Sequence, residues 1–585
     1  MAEQVEDIGI LLVHGMGEQK QLEYLRSSAR ELASFIAADD DLIRLEVIDE
    51  SGTGGRIYID SVFLRGDAEE RIRLHFHEAW WADLGVTGGL IEHVKFWLWG
   101  LGQWAAQIVR TGNSGRNTMK LMAIPRFPRE LRKGGDVNRP QPALNELPSR
   151  LLLMGAALLA IVTFFTWSAA KQIVSLLSKR LPEPSLIFMF LGDVKVFERP
   201  GGPGKGTLQD PNMPVRATIR RRVIRAMVEM AQRPYQRWYV FAHSLGTVPA
   251  YNAVQETELA LPNYLSKAEW EGLDPALKTT SPFAPPATEP QPTTGFMMPR
   301  RPPWLGDSDG ISRAALFARF GGLLTFGSPL DKFAALWPRT VPINRQADVF
   351  PATSEWVNLY DPTDPVASRL DAFERPKNAI PPNLAPSSTN APIYLAPQNF
   401  ACRSSRLFGL SHIRYFSPRP PGPKTMPAVL AAALTSGGST TLSNAAAEAQ
   451  LSMPHRAFRR TLAFVQLGMI GGALTAMAGA LLIGLAKLVP NAAVPSIRTA
   501  LGAVAPRVLA CLDAGGISAW VAATALVVTL ALCAILAAGV IRMWSDRRFG
   551  LVAATVAFVL VAAAASLVLP DREVYPPLAP AAASR

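Results

Sequence analysis

The run Trp238-Tyr239-Val240-Phe241-Ala242-His243-Ser244-Leu245-Gly246 restricts the fold more than any other part of the chain. Large apolar side chains in succession make a strand buried on both faces. The residues that follow, 247–254, read as a helix, so a turn must stand between the two elements. That turn is tight enough to require small residues two positions before and two after the serine, and here they are Ala242 and Gly246. A serine so placed presents its hydroxyl at the end of a strand and beside a helix start, a position suited to nucleophilic attack. The plain alternative is an ordinary helix start with Ser244 as its N-cap.

The rest of the first 427 residues carries a matching pattern. Residues 8–13 form an uninterrupted apolar run of strand length. Within 22–36, Leu22, Leu25, Ala29, Leu32, Ala33 and Ile36 share one helical face. Further strands are expected at 43–48, 57–64, 72–76, 194–197, 323–326 and 356–359, and a helix over 215–230. This alternation predicts an α/β domain with a largely parallel sheet covered on both faces. Two stretches interrupt it. Residues 85–185 are apolar and basic. Residues 256–312 are rich in proline and are expected to be mostly irregular, either a surface loop or an apolar flap built on Phe296, Met297, Met298 and Trp304. Residues 428–455, rich in Ala, Ser and Thr, read as a linker.

The pieces LLVHGMG, FAHSLGT, LLTFGSPLD, DPTDPVA and GLSHIRY, in that order, resemble the motifs of lipase- and esterase-type α/β-hydrolases. The resemblance covers most of the first 420 residues outside the interruptions; its one departure is Ala242, where the family has glycine. It implies the α/β-hydrolase fold, a serine nucleophile at Ser244 and a chain order of serine, acid, histidine. His14, Gly15, Met16 and Gly17 then correspond to the oxyanion loop. Met16 N–H and Leu245 N–H are the expected donors, and His14 is a brace for the loop. The D-P-V phrase after the 356–359 strand implies Asp364 as the acid, with Asp361 as the fallback and Asp193 and Asp331 further off. Of the histidines only His412 and His455 follow Asp364, and the S-H-x-x-Y neighbourhood implies His412 as the base. Acyl transfer by such a triad calls for no cofactor and no metal.

Composition adds a membrane. Hydrophobic residues make up 49% and charged residues 18%. Segments 461–485, 517–541 and 550–569 each carry the roughly 20 apolar residues that cross a bilayer. The stretch 456–570 is thus expected to hold three transmembrane helices, followed by a tail, 571–585. Arg456, Arg459 and Arg460 before the first, and Arg542, Arg547 and Arg548 between the last two, orient these flanks and the hydrolase domain to the cytoplasm. The acidic start of the chain lacks the pattern of a secretion signal. The segment 151–170 cannot cross alone, because Met16 and Ser244 would then be separated by the membrane. With 90–109, which carries Trp97, Trp99 and Trp104, it either crosses as a hairpin or lies in the interface; the tryptophans and the basic 110–150 linker favour the interface. The net charge of +12 fits anionic lipid headgroups. No nucleic-acid reading motif accompanies it.

Other patterns are weaker. His75 and His77 fall on one strand face beside Glu78, but no further ligand spacing supports a metal. Residues 201–207 fail the phosphate-loop spacing. The expected partners are therefore a lipid or other acyl-ester substrate and a membrane, with no oligomeric state fixed. An inactive hydrolase-like membrane scaffold is the second reading, opposed by the presence of all three triad residues. A transporter is weaker still, since the apolar segments hold no charges.

Overall fold

Strands whose residues are apolar on both faces need cover above and below, and helices packed on the two faces of the sheet supply it. The computed structural model describes residues 5–15, 20–36, 44–48, 56–65, 68–84, 214–280, 299, 301–336, 341, 350–373 apart from 365 and 368, 395–406, 410–436, 440–456, 458, 459 and 462. All but the last few belong to one compact unit, Met1–Arg139 with Pro184–Arg456.

The strands are β1 (Val5–Val13), β2 (Arg44–Ile48), β3 (Arg56–Arg65), β4 (Ala68–Glu78), β5 (Arg237–His243), β6 (Lys278–Thr280), β7 (Asp309–Ile311), β8 (Phe320–Phe326), β9 (Glu355–Tyr360) and β10 (Pro397–Ala401). The helices that position the site are α1 (Glu23–Ile36), α2 (Val215–Gln232), α3 (Thr247–Val254), α4 (Leu330–Leu336), α5 (Leu410–Ile413), α6 (Met426–Leu434) and α7 (Leu442–Glu448). An eight-stranded sheet has the order β10-β9-β8-β5-β1-β4-β3-β2. From β10 to β4 neighbours run parallel, while β3 and β2 continue it antiparallel.

Side chains alternate between the two faces with the strand period of two. Leu11 and Val13 of β1 join Trp238, Val240 and Ala242 of β5 against α2 and α3. Ile8, Ile10 and Leu12 join Tyr239 and Phe241 against α1, α6 and α7. From β1 the chain continues toward β4; from β5 it continues toward β8, β9 and β10. The C-terminal ends of β1 and β5 therefore flank a switch point, where open α/β sheets form a crevice.

Arginines of α2 and of its C-terminal cap are paired with carboxylates. Arg222 pairs with Asp83, Arg225 with Glu269, Arg233 with Glu229, and the buried Arg220 with Glu256 at 3.6 Å. Three of these pairs tie α2 to other segments of the domain.

Two sequence expectations need correction. Residues 428–455 are not a linker. Most of α6 and all of α7 lie there, and Val429, Leu430, Leu434, Leu442, Ala445 and Ala446 are buried on the sheet. Small alanines suit helices that pack closely, so the composition of a linker concealed a covering layer. The proline-rich stretch 256–312 is also more regular than expected. Its described parts hold a helix, Lys267–Glu271, with a Ser266/Glu269 capping box, and the β6–β7 pair. The positions 281–298, with the expected flap residues Phe296, Met297 and Met298, lie outside the described residues. Leu22 precedes α1 with a left-handed φ of +66° and is not part of it.

Among the described residues, no helix is long and apolar enough to cross a membrane. Segments 90–109, 151–170, 517–541, 550–569 and 571–585, and 461–485 but for Leu462, lie outside them. The strand expected at 194–197 and the loop 201–207 do so as well.

Candidate active site

The turn after β5 has the geometry its sequence demands. Ser244 has φ +52°, a left-handed conformation rare for any residue with a Cβ. Such a conformation persists only when the surroundings hold it. Thr247 Oγ1 donates to the Ser244 carbonyl (2.7 Å) and lies 3.0 Å from Ser328 Oγ, which stands just after β8. Ser244 is not the cap of α3: Gly246 precedes that helix, and no side chain caps it. The hydroxyl is turned elsewhere.

Ser244 Oγ lies 2.8 Å from His412 Nε2. On the opposite edge of that imidazole, Nδ1 lies 3.0 and 3.2 Å from the two oxygens of Asp364. One tautomer satisfies both contacts: His412 Nδ1–H donates to Asp364, and Nε2 accepts from the serine hydroxyl. The three residues come from three elements: the ends of β5 and β9, and α5 after β10. All are buried.

Asp364 is held as a carboxylate. Burial works against its charge, but His412 beside it and hydrogen bonds from His412, Val366 N–H and Tyr415 Oη–H together hold its pKa below the ordinary aspartate range. Val366 N–H donates at 2.8 Å and Tyr415 Oη–H at 2.9 Å. Tyr415 accepts in turn from Asp361 N–H at 2.9 Å. Burial, with Asp364 nearby, keeps the phenol protonated and therefore a donor.

Asp361, the fallback acid, is committed to its own loop. One oxygen accepts from Thr363 N–H and Oγ1–H, and the other from Ser404 N–H and Oγ–H. It ties the turn after β9 to the segment after β10, leaving Asp364 as the carboxylate that meets the base. Asp331 stands in the first turn of α4. Asp193 lies outside the described residues. His455 is an exposed side chain 2.7 Å from Ser452.

Opposite the serine, the end of β1 comes very close. A Cβ on Gly15 would sit 2.6 Å from Ser244 Cβ, and one on Gly246 would sit 2.3 Å from the His14 carbonyl. Only residues without side chains fit at both places. His14 Nδ1–H donates to Gly15 O (2.7 Å), and its Nε2 accepts from Trp81 N–H (2.9 Å). Its ring stacks on Trp81 with centroids 4.9 Å apart. Burial lowers its pKa to about 4, so it is a neutral brace. Leu245 N–H lies in the first turn after the serine, where a helix offers no acceptor of its own. Met16 and Gly17 lie outside the described residues. Just past them, Leu22 N–H donates to Glu78 (2.8 Å), whose acidity burial weakens to a pKa of about 7.

The histidines of β4 are engaged by neighbouring side chains. His75 Nε2 lies 2.7 Å from Asp7, and His77 Nε2 lies 2.7 Å from Tyr235 Oη. Among the described residues no group of three His, Cys, Asp or Glu could hold a metal ion.

Sequence reasoning quoted Tyr415 within a motif but gave it no role. Its signal was the spacing from His412, legible only once the tyrosine is seen on Asp364. A hydrogen bond to a charged group contributes about 1.5–3 kcal/mol. Tyr415→Phe is therefore expected to destabilise the protein by about that much at neutral pH. The folded pKa of Asp364 is depressed, so this contribution is full above the unfolded value and fades as pH falls through the folded one. Urea unfolding of both proteins at neutral and strongly acid pH checks it; an equal difference at both would contradict the assignment.

Comparisons with protein-family models, curated proteins and solved structures gave no match.

Proposed function

We propose that this chain is a serine hydrolase of the α/β-hydrolase type that cleaves an acyl ester, of a lipid or a lipid-like compound, at a membrane. The observation that carries the proposal is the continuous contact from Ser244 Oγ through the His412 ring to Asp364, with Ser244 on a left-handed turn. Support also comes from its place at the switch point of a mostly parallel sheet.

In the proposed reaction, His412 Nε2 takes the Ser244 proton as Oγ attacks the ester carbonyl. Asp364 holds the Nδ1–H and stabilises the imidazolium. The oxyanion is received by Leu245 N–H and, in the family pattern, by Met16 N–H. The imidazolium returns its proton to the departing alcohol, leaving an acyl-serine. Water, deprotonated by His412, then attacks that ester and frees the acid and Ser244. The chemistry assigns no step to a metal or organic cofactor. The membrane is supplied by the apolar segments 461–485, 517–541 and 550–569, whose arginine flanks orient the domain to the cytoplasmic face.

The full-length protein in detergent should react with a fluorophosphonate, and mass spectrometry should place the adduct on the peptide containing Ser244. It should also hydrolyse a short-chain nitrophenyl ester. A protein that neither reacts with the probe nor turns over any ester in a lipid and short-chain panel would sink the proposal in favour of a scaffold.

A further inference from the structure

The serine and the base are bridged by a second imidazole that takes no part in the proton transfers. His243 is buried at the end of β5. Its Nε2 lies 2.8 Å from the backbone carbonyl of His412 and donates to it, joining residues 169 apart in sequence. The ring stacks on Phe326, with centroids 5.1 Å apart and planes 15° apart, and lies 5.1 Å from the His412 ring. Gly327 and Gly15 crowd it from two other directions. A Cβ on Gly327 would come within 3.1 Å of Nε2, and one on Gly15 within 3.3 Å of Nδ1. One side chain thus touches the turn after β1, the end of β8 and the segment that carries the base.

That segment needs outside support. His412 belongs to α5, which is only four residues long. Carbonyls at the end of so short a helix have no following turn to donate to them. A donor from another element therefore decides where this backbone sits, and with it the imidazole.

We propose that His243 is a positioning residue of the hydrolase site: by holding the His412 carbonyl, it sets the base at hydrogen-bonding distance from Ser244. The inference rests on the reading of Ser244, His412 and Asp364 as a triad. The electrical state of His243 suits the role. Burial, with His412 close by, lowers its pKa to about 3, so it stays neutral while His412 gains and loses a proton. A neutral ring that donates from Nε2 has a bare Nδ1, and Nδ1 has no hydrogen-bond partner among the described residues. A charged ring there would oppose the imidazolium that the reaction forms.

The competing view is that His243 only fills the core. Phenylalanine would then serve as well, since it stacks on Phe326 but cannot donate. The experiment compares His243→Phe and His243→Gln in the full-length protein, with kcat and KM on a short-chain nitrophenyl ester and the melting temperature of each. A misplacement of about 1 Å costs up to about 10²-fold in rate, so His243→Phe is expected to lower kcat by about 10- to 100-fold with KM within about twofold. Glutamine keeps an N–H donor and is expected to recover most of kcat. Should the phenylalanine variant fail to fold, His243→Asn, whose amide is too short to reach, takes its place against glutamine. A donor-less variant with wild-type kcat, or a glutamine variant no better than it, overturns the inference while leaving the triad standing. A wild-type protein inert to ester and fluorophosphonate overturns the triad reading itself, and this inference with it.

Discussion

Ser244→Ala is expected to lower kcat by about 10⁶-fold and Asp364→Asn by about 10⁴-fold, while the double variant is no slower than Ser244→Ala alone. The inequality follows from the site. In the proposed reaction Ser244 supplies the atom that bonds to the acyl carbon, so its loss removes the covalent route altogether. Asp364 touches no reacting atom, and its replacement acts through His412. In the variant Val366 N–H, which cannot turn, claims the amide oxygen at the Oδ1 position, and the NH₂ takes the Oδ2 position, where Tyr415 Oη can turn to accept from it. The amide NH₂ is then left facing His412 Nδ1, which must accept. The ring proton moves to Nε2, the nitrogen 2.8 Å from Ser244, which can no longer take the serine proton. Steady-state kinetics on one soluble ester, with circular dichroism to establish folding, measure all three variants. An Asp364→Asn enzyme within about tenfold of wild type would remove the acid from the mechanism. A double variant far slower than Ser244→Ala would show the two acting independently.

The second large effect is expected from a methyl group. Gly246→Ala places a Cβ 2.3 Å from the His14 carbonyl and 2.6 Å from the Val13 carbonyl. Both contacts are backbone at the end of β1, which is fixed between β4 and β5 and cannot swing aside as a side chain would. Overpacking of this kind costs about 1–3 kcal/mol or more. Relief would come from separating the β1 turn from the start of α3, the two segments that carry the expected oxyanion donors. Gly246→Ala should therefore unfold at lower urea and, in the protein that remains folded, lose about 10²-fold in kcat. Unaltered stability with unaltered kcat would mean that β1 and α3 are not locked together as described.

Much of this was legible in the chain. Strand β5 and helix α3 fall where the apolar run and the small residues around Ser244 place them, because both are dictated by neighbours in sequence. The uninterrupted apolar run of β1 and the apolar face of α1 were equally local. β10 was not foreseen, since Pro397-Gln398-Asn399-Phe400-Ala401 has the composition of a loop and becomes a strand by pairing with β9. Helices α6 and α7 were hidden by their alanines, which carry little apolar signal until a sheet is laid against them.

The site divides along the same line. The motifs and chain order of the α/β-hydrolase resemblance named Ser244, Asp364 and His412 as candidates, with Gly15 in the expected oxyanion loop and Gly246 in the turn after the serine. The choice of Asp364 over Asp361 was decided by which carboxylate the turn after β9 consumes, and Ser404, 43 residues further on, consumes Asp361. The roles of Tyr415 and His243 depend on contacts across 51 and 169 residues. The sequence alone determined the pieces with short-range causes: the strand, the small-residue turn, the helix and the serine that stands between them. Which groups meet, and which of them position the others, was decided by the tertiary structure. Hydrogen bonds form within about 3 Å, and no spacing along the chain encodes that approach.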